Sequence, residues 1–435
     1  MFAYYFKLGV RSLRRNPALT ALMVLTLAVG VAASVSTLTI LHMMGSDPIP
    51  QKSSRLFVPL IDNGRVEGYT PGEKPDDIQI SYQDAQNILK SGQGVRRTAL
   101  YGVAGAVEPP RRDIAPFTIG GLAPTHDFFA MFDVPFLYGQ AWTEQDDTRA
   151  ADVVVLSRQM AEKLFGNVNP VGQRLNLMGF PFTVVGVADK WNLLPRVYLL
   201  QGGSPYGQGE EFFIPMSTAV RHETQHNGGM SCQQDVTGFA ARLASECTWI
   251  TAWVETASAS DRGDLQSWLD NYANDQRKLG RLKRNAPNRL FNVNEWMEYT
   301  HVVGKDSKLQ TWLAFGFLAL CLVNTVGLLL AKFSVRASEI GVRRALGASR
   351  AEIFHQFLIE TTVVGLVGGM LGLALAFGAL ALIRTSGKTM AAVAHMDWQM
   401  LGLTFVISVA AAILAGLLPT WRACQVTPAI QLKSQ

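Results

Sequence analysis

A membrane bundle of four transmembrane α-helices, with one large α+β domain inserted between the first and second, is the fold class that this sequence predicts. Three observations carry it. Four blocks are long and apolar enough to cross a bilayer, Lys and Arg gather beside those blocks, and the long stretch between the first two reads as mixed strands and short helices.

The blocks come first. A hydrocarbon core about 30 Å thick takes about 20 apolar residues as helix, and a lone helix satisfies its own backbone groups in lipid. Residues 18–41 offer 24 positions without a charge, and three further spans are read at 309–331, 353–383 and 399–418. Lys7, Arg11, Arg14 and Arg15 precede the first block as in a signal peptide. Its apolar run is longer than a signal core, and no small-residue cleavage site follows at His42-Met43-Met44-Gly45. It therefore reads as an uncleaved anchor.

Charge sets the expected orientation. The 435 residues are 48% hydrophobic and 17% charged, with a formal charge of +5. The N-terminal segment 1–17, the loop 332–352 and the tail 419–435 together hold 11 Lys/Arg and two acids, Glu339 and Glu352. Residues 45–308 hold 26 Lys/Arg against 30 Asp/Glu. Basic residues that hug the spans are a topology signal, not a nucleic-acid footprint. Both termini and the 332–352 loop are expected in the cytoplasm of a bacterial inner membrane. Residues 42–308 and the short loop 384–398 are expected on the outer side.

The outer domain shows local order. Residues 152–156 (DVVVL) read as a buried strand, and 159–165 as a short helix ended at Gly166. Residues 175–187 read as a hairpin turning at Met178-Gly179, with further strands at 117–122 and 248–254. Residues 261–283 read as an amphipathic helix, and 294 onward as a helix running into the second span as a stalk. The basic cluster Arg277, Lys278, Arg281, Lys283 and Arg284 is either a solvated face or a contact for lipid headgroups or a partner. Cys232 and Cys247 both fall in this domain, where an oxidising periplasm allows a disulfide. Cys321 and Cys424 lie in or beside spans as packing residues.

No catalytic or metal constellation appears. The seven histidines are scattered, and His222 and His226, at i and i+4, lack a surrounding ligand pattern. The chain is read as a non-enzyme with no cofactor of its own.

The loop 332–352, KFSVRASEIGVRRALGASRAE, carries the most information. It favours helix over 335–346, a stop at Gly347 and a new N-cap at Ser349. Ile340 and Leu346 are available for burial, and Arg343 and Arg344 for acidic partners. Composition leaves two readings open: a surface linker whose arginines set topology, or a coupling element docked on a cytoplasmic motor. In the third span, Gly365, Gly368, Gly369 and Gly372 form two overlapping G-x-x-x-G spacings, which serve either packing within the chain or a dimer contact.

The loop resembles the signature of the FtsX-like permease family, in particular the MacB-type permeases of type VII ABC transporters. The pattern R-x-x-E-I-G-V-R-R-A-L-G-A-S is carried by Arg336, Glu339, Ile340, Gly341, Val342, Arg343, Arg344, Ala345, Leu346, Gly347, Ala348 and Ser349. Gln356, Phe357, Leu358 and Glu360 follow as in the family. Asn16-Pro17 before the first span, the block 153–187 and the tail 419–435 resemble it too. The resemblance implies an ATP-driven exporter in which two permease chains, alike or different, pair. Each would dock an ABC ATPase through residues 336–348. A periplasmic adaptor and an outer-membrane channel would complete the system, with ATP and Mg on the ATPase, lipid around the spans and no nucleic acid. No phosphate-loop motif G-x-x-x-x-G-K-[ST] occurs in these residues, so the ATPase is expected on a separate subunit. Lipoprotein release of the LolC/LolE kind, and FtsX-like control of periplasmic hydrolases without transport, are the competing readings.

Overall fold

The structure is a computed structural model. It describes residues 16–424 except 65, 68, 71–77, 112, 192, 201–204, 208, 286, 336–341, 343–345 and 387–397. The chain divides into two units, 1–45 with 303–435, and 46–302.

The first unit contains four long helices: α1 Pro17–Gly45, α10 Lys305–Val335, α11 Arg350–Ser386 and α12 Trp398–Cys424. Each has a stretch apolar enough to cross a membrane. Half of α1's most apolar window is buried within the chain, against 28%, 28% and 27% for the others, so α1 is the hub. Small residues sit where helices cross, because lipid offers no hydrophobic drive and close backbone contact must supply the attraction. Gly30 faces Cys321 and Leu318 of α10, while Gly368 and Gly372 of α11 face Leu27, Ala28 and Val31 of α1. Gly365 and Gly369 are buried as well. Gly368 and Gly372 of the glycine-rich stripe thus pack against α1 within the chain. Ser34 adds a hydrogen bond across helices, donating to the Ala314 carbonyl at 2.9 Å. Leu320, Val323, Met370, Phe405 and Leu414 are exposed on the bundle surface, as lipid-facing residues must be.

The second unit is an α+β domain built on an 11-stranded mixed sheet. Its strands are β1 Leu56–Leu60, β2 Ile80–Ser81, β3 Arg96–Glu108, β4 Phe117–Pro124, β5 Phe136–Gly139, β6 Val153–Ser157, β7 Arg174–Leu177, β8 Phe180–Ala188, β9 Phe212–Phe213, β10 Thr248–Glu255 and β11 Arg289–Asn292. The order is β11-β1-β10-β3-β4-β9-β6-β8-β5, with β2 on β10 and β7 on β3 and β8. Antiparallel pairing of β1 with β11 means that the chain enters and leaves this unit along one sheet edge.

Local signals explain several elements. The turn between β7 and β8 holds Met178 at φ 56° and Gly179 at φ 82°, the two left-handed residues that a two-residue hairpin needs. Helix α5, Arg158–Phe165, starts where the Ser157 hydroxyl accepts the Met160 amide and stops at left-handed Gly166. Helix α8, Arg262–Lys278, buries Leu265, Leu269 and Ala273 along one face. Helices α2 Tyr82–Lys90, α3 Asp127–Met131, α4 Glu144–Thr148, α6 Met216–Arg221 and α7 Phe239–Ala244 complete the layer over the sheet.

Three expectations change. The stalk is not one helix: α9, Val293–Tyr299, ends before α10 begins at Lys305. The Thr300 hydroxyl turns back onto the Trp296 carbonyl at 2.7 Å, and His301 adopts φ 53°, which no continuing helix accommodates. The basic cluster is not one solvated face. Arg281 reaches inward to Asp84 at 3.1 Å and Glu246 at 2.7 Å, and the buried Arg284 pairs with Asp62 at 3.7 Å; Lys278 stays outside. Carboxylates beneath the sheet edge compensate these guanidinium charges, which is the condition for burying them. Finally, α10 runs to Val335, so Lys332 belongs to a helix and not to the loop.

Cys232 and Cys247 form a disulfide with Cα atoms 4.3 Å apart. Described residues between 189 and 211 are held by side-chain contacts. Arg196 pairs with the buried Glu210, the Tyr198 hydroxyl donates to the same carboxylate at 2.5 Å, and the Trp296 indole N–H donates to the Val197 carbonyl at 3.3 Å. Tyr198 also packs edge-on to Phe128 and stacks on Trp191.

Candidate functional site

The site is built where α10 and α11 flank the loop. Arg336, Glu339, Ile340, Gly341, Arg343, Arg344 and Ala345 lie outside the described residues. Residues 346–349 are ordered by local chemistry. The Leu346 amide closes a turn onto the Val342 carbonyl at 3.0 Å. Gly347 then takes φ +100°, a conformation that L side chains rarely adopt and that ends the turn. Ser349 opens α11 with a capping box: its hydroxyl accepts the Glu352 amide at 3.2 Å, and its own amide donates to the Glu352 carboxylate at 2.9 Å.

This turn has one inward and one outward side. Ala348 packs against the cluster formed by Met23 and Leu27 of α1, Leu329 and Phe333 of α10, Ile353 and Phe357 of α11, and Ala411 of α12. The Phe333 and Phe357 rings lie 4.4 Å apart between centroids. Leu346 points the other way and is 83% exposed.

Inside the same corner sits a feature that sequence reasoning missed. The Lys332 ammonium lies 2.5 Å from the Glu360 carboxylate, and both residues are 1% exposed. Among the described residues of the four helices, they are the only buried charges. Their signal in the sequence was two isolated charges of opposite sign, each on the loop side of its apolar block. Of the other polar residues in these helices, Asn324 stands exposed on the outer face of α10, and His355 is exposed near the start of α11. Buried Thr325 and Thr404 donate to carbonyls of their own helices, Cys321 and Met400.

The histidines do not converge. His222 contacts Asp152 at 2.7 Å and stacks on Phe180, whereas His226 lies beside Arg242. No group of three or more potential metal ligands exists among the described residues.

Against known proteins, the family described as MacB-like periplasmic core domain matches residues 20–272. The chain belongs to this MacB-like family. The family described as FtsX-like permease C-terminal matches residues 312–428, so the chain is a multi-pass membrane permease with a MacB-like periplasmic domain between its first two helices. A relative named macrolide export ATP-binding/permease protein MacB, from Rhodospirillum rubrum, is 27% identical over 100% of this chain and 61% of its own length. A MacB from Bdellovibrio bacteriovorus is 24% identical over 85% of this chain and 53% of its own length. The chain thus spans between about half and three fifths of these relatives. The uncharacterized ABC transporter permease YknZ of Bacillus subtilis is 23% identical over 67% of this chain and 64% of that protein. The crystal structure of the periplasmic region of MacB from Actinobacillus actinomycetemcomitans overlaps 58% of this MacB-like chain and 94% of that one, at 16% identity and a TM-score of 0.37.

Proposed function

We propose that this chain is the permease subunit of an ATP-driven ABC export system, and that it conveys motion from a separate cytoplasmic ATPase to its periplasmic domain. Residues 336–348 are the docking element and lie in the cytoplasm with both termini, at the bacterial inner membrane. Two such chains pair, each with one ATPase, and a periplasmic adaptor with an outer-membrane channel completes the path. The observation that carries the reading is the interior of the helical bundle. Its described core is closed by glycines, alanines and aliphatic side chains, and its only buried charges are paired with each other. A polar solute needs a lined route across lipid, and intramembrane ionisable groups mark such routes. A packed bundle suits transmission of movement instead. Exposed Asn324 on the outer face of α10 supports a second chain, because an amide facing lipid gains by hydrogen bonding across helices.

The test is R343E/R344E in the full chain, co-expressed with a candidate ABC ATPase subunit from the same organism. Membrane insertion is expected to persist, and co-purification of the ATPase is expected to be lost. Retained co-purification overturns the docking assignment, and labelling of residues 336–348 from the periplasmic side overturns the orientation.

A further inference from the structure

Two full charges inside a bundle of apolar helices need a reason. Removing each ion from water costs several kcal/mol, and mutual attraction repays this only with excellent geometry and further hydrogen bonds. Lys332 falls short of that standard: its ammonium is within ion-pair distance of Glu360, yet among the described residues it has no well-aligned hydrogen-bond acceptor. Apolar side chains of similar size would hold the same two helices at no greater cost. Stability is therefore a poor account of the pair, and registry is a better one, since charge is satisfied at one relative position of two helices and apolar packing at many.

The surroundings sharpen this. Lys332 lies one helical turn from Val335, the last described residue before the loop, and Glu360 lies about 15 Å along α11 from Arg350 at 1.5 Å per residue. The ion pair thus bridges both helices that leave the loop. Phe333 and Phe357 pack beside it, and Thr361, next to Glu360, is pressed by Gly416 of α12. Neighbouring helices bury both charges, so a slide of α10 against α11 would strand them without water.

We infer that Lys332 and Glu360 are positioning residues: a buried ionic clamp that fixes the register of α10 against α11, so that the two helices flanking the loop move as one body. The inference rests on the coupling reading of the loop for its purpose, but its geometry stands apart from any ATPase. A clamp of this kind makes the described ends of α10 and α11 respond together to a displacement. Without it, α10 and α11 keep their packing on α1 but lose the contact that aligns them with each other, and displacement at the loop dissipates as sliding.

The experiment uses the full chain alone in lipid nanodiscs, so it is independent of ATPase docking. Spin labels are placed at V335C and A351C, both exposed, with Cys321 and Cys424 replaced by alanine. Electron–electron double resonance then reads the spread of distances between the helix ends. The unaltered pair is expected to give one narrow peak. The apolar double variant K332M/E360L is expected to fold with unchanged thermal stability and to lose that narrow peak. A narrow peak in K332M/E360L overturns the clamp, because packing alone then sets the register. Failure of K332M/E360L to fold also overturns it, because the pair is then a stability element. Loss of docking in R343E/R344E has no bearing on either outcome, so the two readings fail separately.

Discussion

Replacing Gly416 by alanine tests the helix packing at its tightest point. A Cβ added at Gly416 would lie 2.3 Å from the Thr361 Oγ1, 2.8 Å from its Cβ and 3.2 Å from its Cγ2. Rotating Thr361 cannot clear the space, because its own Cβ is already too close. Its hydroxyl is also held to the Leu358 carbonyl at 2.9 Å. The helices α11 and α12 must therefore separate, and overpacking of this kind costs about 1–3 kcal/mol. Gly402 on the same helix is exposed, with nothing within 4 Å of an added Cβ, and serves as the reference. Alanine gains about 1 kcal/mol of helix propensity over glycine at either place, so that gain cancels in the comparison. G416A is expected to be less stable than G402A by about 1–3 kcal/mol, read by thermal unfolding of the full chain in one detergent. Equal melting temperatures for the two variants would refute the packing argument. A further check is T361A/G416A, which removes Oγ1 and Cγ2 and should recover part of the loss.

Two further outcomes concern the periplasmic unit. The disulfide closes a loop with a sequence separation of 15, so C232S/C247S is expected to lose about 3 kcal/mol by chain entropy, seen as a matching drop under non-reducing unfolding; unchanged stability would show that the loop is held without it. His126 donates its ring N–H to Asp147 at 2.9 Å, a bond that raises its pKa above 6.5 against the opposing effect of burial. The folded state then holds this proton more tightly than the unfolded chain. The contribution is complete below about pH 6.5 and fades as pH rises through the raised value. H126N is expected to flatten the decline of melting temperature from pH 6 toward pH 8. Parallel pH profiles for the variant and the unaltered chain would exclude this.

Much of the architecture was legible because its causes are local. The four spans arise from runs of apolar side chains. The hairpin at Met178-Gly179, the stop at Gly347 and the cap at Ser349 each arise from one or two residues with distinct backbone preferences. The site was legible only as a motif. Lys332 read as a flanking basic residue of the loop and Glu360 as one residue of the run that follows the motif, and 28 positions separate them in the chain. The basic cluster at 277–284 failed for a related reason. The carboxylates that draw Arg281 and Arg284 inward, Asp84, Glu246 and Asp62, come from remote segments.

The amino-acid order by itself determined how many helices are apolar enough to cross the bilayer, where the turns at Met178-Gly179 and Gly347 fall and which kinds of residue the bundle could bury. These depend on side chains within a few residues of each other and on the solvent, lipid or water, around them. Only the tertiary structure decided which charges meet, which glycines face a neighbouring helix, and that Arg196 and Tyr198 converge on the buried Glu210. Electrostatic pairing and close packing act between atoms a few ångströms apart in space, and distance along the chain carries no measure of that separation.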